Sequence, residues 1–173
     1  MSVKIVLLCE DLQTATFIRR FLRERGFQPH DLRVEVAPPG LGSGEQWVRD
    51  RYPHELTARR KMNTVLIVGT DADSMSVADR IATLDRQCRN NSVPVREAHE
   101  PVIMAVPKRN IETWFAYLRG ENPDEDGTYA RYHHESMCRD DVKNLAPMCA
   151  KQQLRQPVPP SLLSACTEFT KMK

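Results

Sequence analysis

Apolar and polar residues run along this chain in blocks, and the blocks predict alternating strands and helices. Val3 to Cys9 (VKIVLLC) is a β-branched and leucine run that reads as a strand buried on both faces. In LQTATFIRRFLRERGF, Phe17, Ile18, Phe21 and Leu22 share one helical face, arginines lie opposite, and Gly26 is the stop. Leu32 to Ala37 (LRVEVA) alternates as a shorter, half-exposed strand. PPGLGSG is a loop, and EQWVRDRYPHELTARRK reads as a helix that Pro53 breaks or kinks. Thr64 to Gly69 (TVLIVG) is the second strongly buried strand. Ser76 caps the helix that follows, whose Val77, Ile81, Leu84 and Cys88 fall on one face. Pro101 to Val106 (PVIMAV) makes a fourth strand. Pro107 then opens a helix through NIETWFAYL, with Ile111, Trp114, Phe115 and Leu118 on one side. GENPDEDGTYARYHHE is a polar, turn-rich loop or lid, and the remainder reads as two short helices separated by QPVPP.

This order implies an α/β fold: a mostly parallel central sheet of about four strands flanked by helices. Residues 1–120 form the α/β domain, and residues 121–173 form a loop and helical extension packing on it. At 173 residues, 40% apolar and 28% charged, the chain has the make-up of one globular domain. Its formal charge of +2 does not by itself announce a nucleic-acid binder. The cations are lopsided, however, with 18 arginines against 7 lysines, and arginine suits bidentate contacts to phosphate or carboxylate. The five cysteines form no CxxC pair, which argues against a disulfide framework or structural zinc and for a reducing cytoplasm. The apolar stretch near the N-terminus is too short for a signal sequence or membrane span.

Candidate chemistry lies in the acids behind the strands. Glu10 and Asp11 follow the first strand, Asp71 and Asp73 follow TVLIVG, and Glu112 lies in the first turn after PVIMAV. Open α/β sheets bind ligands beyond the carboxyl ends of their strands. If the two buried strands are neighbours, Glu10, Asp71 and Asp73 converge. Crowded carboxylates repel one another, and a hard divalent cation with oxygen ligands offsets that repulsion. In an extended segment Asp71 and Asp73 point the same way, so both reach one metal or two adjacent ones. A DxD alone is equally a turn or helix-start feature. Its conjunction with Glu10 is what points to metal.

Strand–Glu–helix followed by strand–DxD–helix resembles the TOPRIM domain of topoisomerases, primases, OLD-type nucleases and RNA-maturing endonucleases. A closer resemblance is to the small stand-alone TOPRIM-like proteins of bacterial and phage-defence loci, where P-x-R-x-I-E-x-W follows the DxD. Here that segment is Pro107, Lys108, Arg109, Asn110, Ile111, Glu112, Thr113 and Trp114. The resemblance covers roughly residues 3 to 118. It implies that Glu10 is a metal ligand or general base and that Asp71 and Asp73 hold Mg²⁺ or Mn²⁺. Glu112 would supply a further carboxylate or orient Arg109, and Arg109 or Lys108 would offset charge in phosphodiester hydrolysis of DNA or RNA. The resemblance also allows a non-catalytic subunit beside an ATPase partner. Asp11 stands where the family commonly has glycine, as does Ser74-Met75-Ser76 after the DxD.

Other residues carry weaker signals. Gly40, Gly42 and Gly44 would cradle a phosphate or simply form a flexible linker. Arg19, Arg20, Arg23, Arg49, Arg51, Arg59 and Arg60 would line a nucleic-acid groove or form solvated faces. Trp47 and Trp114 are candidates for base stacking, with Trp114 on an apolar face that favours the core. His133 and His134 read as exposed. KIVLLCEDL with its helix also resembles a response-regulator receiver domain, in which Asp71 would accept a phosphoryl group and Lys108 would assist.

Overall fold

A computed structural model describes residues 4–172 of the chain, so Val3 of the first expected strand lies outside the described residues. Four strands, β1 (Ile5–Cys9), β2 (Leu32–Val36), β3 (Val65–Gly69) and β4 (Val102–Ala105), form one sheet in the order β2-β1-β3-β4. Every pairing is parallel, with Ile5 opposite Leu32 and Val65, and Leu66 opposite Val102. The two strongly apolar strands are therefore the central pair, as continuous apolar runs demand.

Period-two alternation sends each strand's residues to two different cores. Ile5, Leu7, Cys9, Ile67 and Ile103 face one layer, built from α1 (Leu12–Glu24), α4 (Glu112–Leu118), α5 (Arg139–Ala150) and α6 (Pro160–Phe169). Val6, Leu8, Leu66, Val68, Val102 and Met104 face the other, built from α2 (Gly44–Met62) and α3 (Val77–Asn90). The result is a three-layer sandwich in which the last two helices share a core with α1. No described helix is long and apolar enough to cross a membrane.

Several local expectations change. Pro53 does not break α2, which runs unbroken from Gly44 to Met62; Tyr52 and Leu56 on either side of it are fully buried, and this packing holds the helix together. Pro107 does not open α4. Residues 107–111 instead cross the carboxyl edge of the sheet, where the Pro107 carbonyl accepts from Ala72 N at 2.9 Å, and the helix starts at Glu112. Two cysteines expected to stay single, Cys149 and Cys166, form a disulfide that ties α5 to α6, with their Cα atoms 5.3 Å apart. Trp114 is core, with its Nε1 donating to Ser161 Oγ at 2.8 Å.

Candidate metal centre at the carboxyl edge of the sheet

The strand order reverses between β1 and β3, since the chain leaves β1 toward β2 and then crosses back. Such a switch opens a crevice at the strands' carboxyl ends. Glu10 emerges there from β1, its amide still bonded to the Gly69 carbonyl at 3.1 Å. Thr70 and Asp71 emerge beside it from β3. Glu10, Asp11 and Asp71 offer carboxylate oxygens that all lie within 4.8 Å of one another.

Each acid is held differently. Asp11 caps α1, accepting from Thr14 N at 2.7 Å on Oδ1. Glu10 Oε2 accepts from Thr70 Oγ1 at 2.8 Å. Asp71 is only 8% exposed, and its Oδ1 is buried without any hydrogen-bond donor. Burial, reinforced by the Glu10 charge, pushes the Asp71 carboxyl far above the ordinary range. Burial also raises Glu10. Without a cation the pair therefore retains a proton at neutral pH. An acceptor with no donor, set among further carboxylates, fits a hard divalent ion such as Mg²⁺ or Mn²⁺, which takes oxygen ligands and displaces such a proton.

Asp73 lies apart from this cluster. The extended alternation expected to aim it beside Asp71 ends before it, because Asp73 is left-handed with φ of 55°. Its Oδ2 accepts from Arg80 Nη2 at 3.1 Å, and its side chain is 62% exposed. Arg80 itself is buried and grips the whole turn. Its Nε donates to the Asp71 carbonyl at 2.8 Å, and its Nη1 pairs with Glu45 at 2.7 Å. Sequence reasoning missed Arg80, although a charged residue beside the apolar stripe of Val77, Ile81, Leu84 and Cys88 was a readable signal.

A cavity of about 670 Å³ opens over the acids, bordered by Asp71, Asp73, Arg109, Glu112, Asp126 and Arg131. Glu112 is buried and accepts from Gln13 Nε2 at 3.1 Å and Arg131 Nε at 2.8 Å. Of the two roles expected for Glu112, orienting Arg109 is not what the structure shows, since the arginine it holds is Arg131. Arg109 Nη1 donates to the Asp126 carbonyl at 2.6 Å, while Lys108 Nζ pairs with the Asp126 carboxylate at 2.9 Å. The polar segment at 120–135 is therefore tied to the border of the cavity at Asp126 and Arg131.

The glycine loop serves the site by close approach. A Cβ on Gly44 would stand 2.5 Å from the Glu10 carbonyl oxygen, so only glycine lets the start of α2 meet the end of β1. Trp47 packs at the edge of the second core under the Arg51 guanidinium, 5.1 Å from its ring centre. His133 and His134 are exposed. Searches against family models, curated proteins and solved structures find no match to this chain.

Proposed function

We propose that this chain is a divalent-metal-dependent phosphodiesterase of TOPRIM-like type, acting on nucleic acid. The observation that carries the reading is the buried, donorless Asp71 Oδ1 set among Glu10 and Asp11 beneath a cavity edged by arginines. Glu10, Asp11 and Asp71 would hold Mg²⁺ or Mn²⁺. Such an ion, when bound, lowers the pKa of a water and polarises a phosphate oxygen. Arg109 and Arg131 offer forked donors suited to phosphate oxygens, and Lys108 adds a point charge. Glu112 fixes Arg131 from below, and Arg80 fixes the backbone that carries Asp71. To meet a substrate phosphate, Lys108 and Arg109 exchange their contacts with Asp126 for it.

The test is incubation with single- and double-stranded DNA and RNA in Mn²⁺, Mg²⁺ or EDTA, comparing wild type with Asp71→Asn and Glu10→Gln. Cleavage that needs the metal and is lost in both variants is expected. Cleavage that persists in EDTA or in both variants overturns the mechanism.

One observation favours a second reading. The acids that cluster are the adjacent pair Glu10 and Asp11 with Asp71, the arrangement a receiver-like module needs for Mg²⁺-assisted phosphorylation of Asp71. Acetyl phosphate separates the two. Covalent phosphorylation of Asp71 that survives Asp73→Asn supports the receiver reading, and its absence leaves the hydrolase.

A further inference from the structure

The seven arginines that flank the crevice in sequence are divided by the fold between opposite faces of the sheet. Those on α2 are engaged in holding the protein together. Arg49 pairs with Glu45 at 3.1 Å and Arg51 with Glu55 at 3.6 Å. Arg59 and Arg60 both pair with the Glu100 carboxylate, at 3.3 and 2.8 Å. Arg19, Arg20 and Arg23 on α1 are different. Among the described residues, none of these three guanidinium groups makes an ion pair or a hydrogen bond.

These three arginines share a stripe of α1 with Thr16, in which Arg19 and Arg20 lie one turn after Thr16 and one turn before Arg23. At ~1.5 Å of rise per residue the stripe spans roughly 10 Å. A cavity of about 590 Å³ lies along it, and Phe27, Leu32 and Val34 form its apolar side. Leu32 and Val34 belong to β2, which among the described residues pairs with β1 alone and so borders the edge of the sheet. The stripe's helix is capped by Asp11, in the acid cluster, and leads away from it.

We propose that this groove binds a single strand of nucleic acid, with its phosphates on Arg19, Arg20 and Arg23 and a base against Phe27. Three unengaged guanidiniums supply the electrostatic term that a phosphodiester chain requires. The apolar wall decides between single strand and duplex. A duplex keeps its bases stacked internally and presents only phosphates, whereas a single strand offers base faces to an aromatic ring. The inference deepens the proposed hydrolase reading by naming the substrate's form, and it rests on that reading for the strand's path toward the acids. Binding in the groove itself needs neither metal nor catalysis.

The experiment is fluorescence anisotropy with labelled oligothymidylate, oligouridylate and a mixed-sequence DNA duplex, in EDTA, across a salt series. Wild type is expected to bind the single strands at least about tenfold more tightly than the duplex. The combined change Arg19→Gln, Arg20→Gln, Arg23→Gln removes exposed or half-exposed side chains and is expected to leave the melting temperature in place. It should weaken binding about tenfold or more and flatten the slope of log affinity against log salt by about 2. Lysine at the same positions restores that slope. Phe27→Leu keeps an apolar group against the core but should lose about tenfold in single-strand affinity. Glu135→Gln, which removes the carboxylate at the cavity's edge, should strengthen binding. Equal affinity for duplex and single strand, or an unchanged salt slope in the triple variant, overturns the proposal. Because the assay contains no metal, single-strand binding that stays intact in Asp71→Asn supports the groove on its own, whereas binding lost in that variant overturns a groove separate from the acids.

Discussion

The Arg80 guanidinium donates from Nε to the backbone carbonyl of Asp71 at 2.8 Å, so one buried cation sets the direction in which that carboxylate leaves the sheet. The same group reaches Asp73 and Glu45, which joins the turn after β3 to the start of α2. Lysine keeps the charge but cannot fork among three partners. Arg80→Lys is expected to lower stability by about 2 kcal/mol and to weaken Mn²⁺ binding about tenfold. Thermal unfolding in EDTA and a Mn²⁺ titration measure the two effects separately.

Gly44 packs against the Glu10 carbonyl, and the nearest atom to an added Cβ is backbone, which cannot rotate away. Gly44→Ala is expected to cost about 1–3 kcal/mol and to loosen the acid cluster. Gly42 is the control, since nothing lies within 4 Å of its missing Cβ. Its φ of 81° makes alanine there a cost of about 1 kcal/mol, without any effect on Mn²⁺ affinity. Chemical denaturation of both variants checks the contrast.

Asp71 carries a carboxyl whose pKa is raised on folding. A raised acid stabilises the folded chain only while it stays protonated, and that contribution fades as pH climbs from the ordinary aspartate range toward the folded value. Asparagine cannot ionise. In EDTA, Asp71→Asn is therefore expected to melt above wild type near neutral pH, with the gap widening as pH rises. Differential scanning calorimetry against pH measures it. A variant less stable than wild type at every pH contradicts the assignment.

Much of this arrangement was legible beforehand, because burial on both faces writes continuous apolar runs for β1 and β3, and caps such as Ser76 carry local chemistry. The neighbouring of β1 and β3 was an assumption that only the pairing confirms. What stayed hidden depended on contacts far apart in sequence. The left-handed turn at Asp73 is held by Arg80 and flanked by the Ala72–Pro107 bond, and although Arg80 stood out beside an apolar stripe, no local pattern names the partners it grips. Asp11 read as a departure from glycine, when its capping geometry is what brings it to the acids. The Cys149–Cys166 pair bridges two helices whose docking no spacing motif announces.

Away from the crevice, Arg60 and Arg59 hold Glu100 down at about 2, with the Glu97 amide also donating to it at 2.8 Å. A depressed acid stabilises the fold above its unfolded value, and that contribution is lost as pH falls toward the folded one. Glu100→Gln is expected to cost about 2 kcal/mol near neutral pH, leaving two guanidiniums without their carboxylate. The difference from wild type should shrink below the ordinary glutamate range and approach zero near the folded value. Urea midpoints at neutral and acid pH measure it.

The most direct test of the central claim, that Glu10, Asp11 and Asp71 hold a divalent cation, is calorimetric titration of the full chain with Mn²⁺ at mildly alkaline pH. Wild type is expected to bind about one equivalent and to release about one proton as it does so. Asp71→Asn and Glu10→Gln should each lose about tenfold or more in affinity, while Asp73→Asn, whose carboxylate belongs to Arg80, should bind nearly as wild type does. Mn²⁺ binding that is unchanged in Asp71→Asn, or that disappears only in Asp73→Asn, contradicts the site.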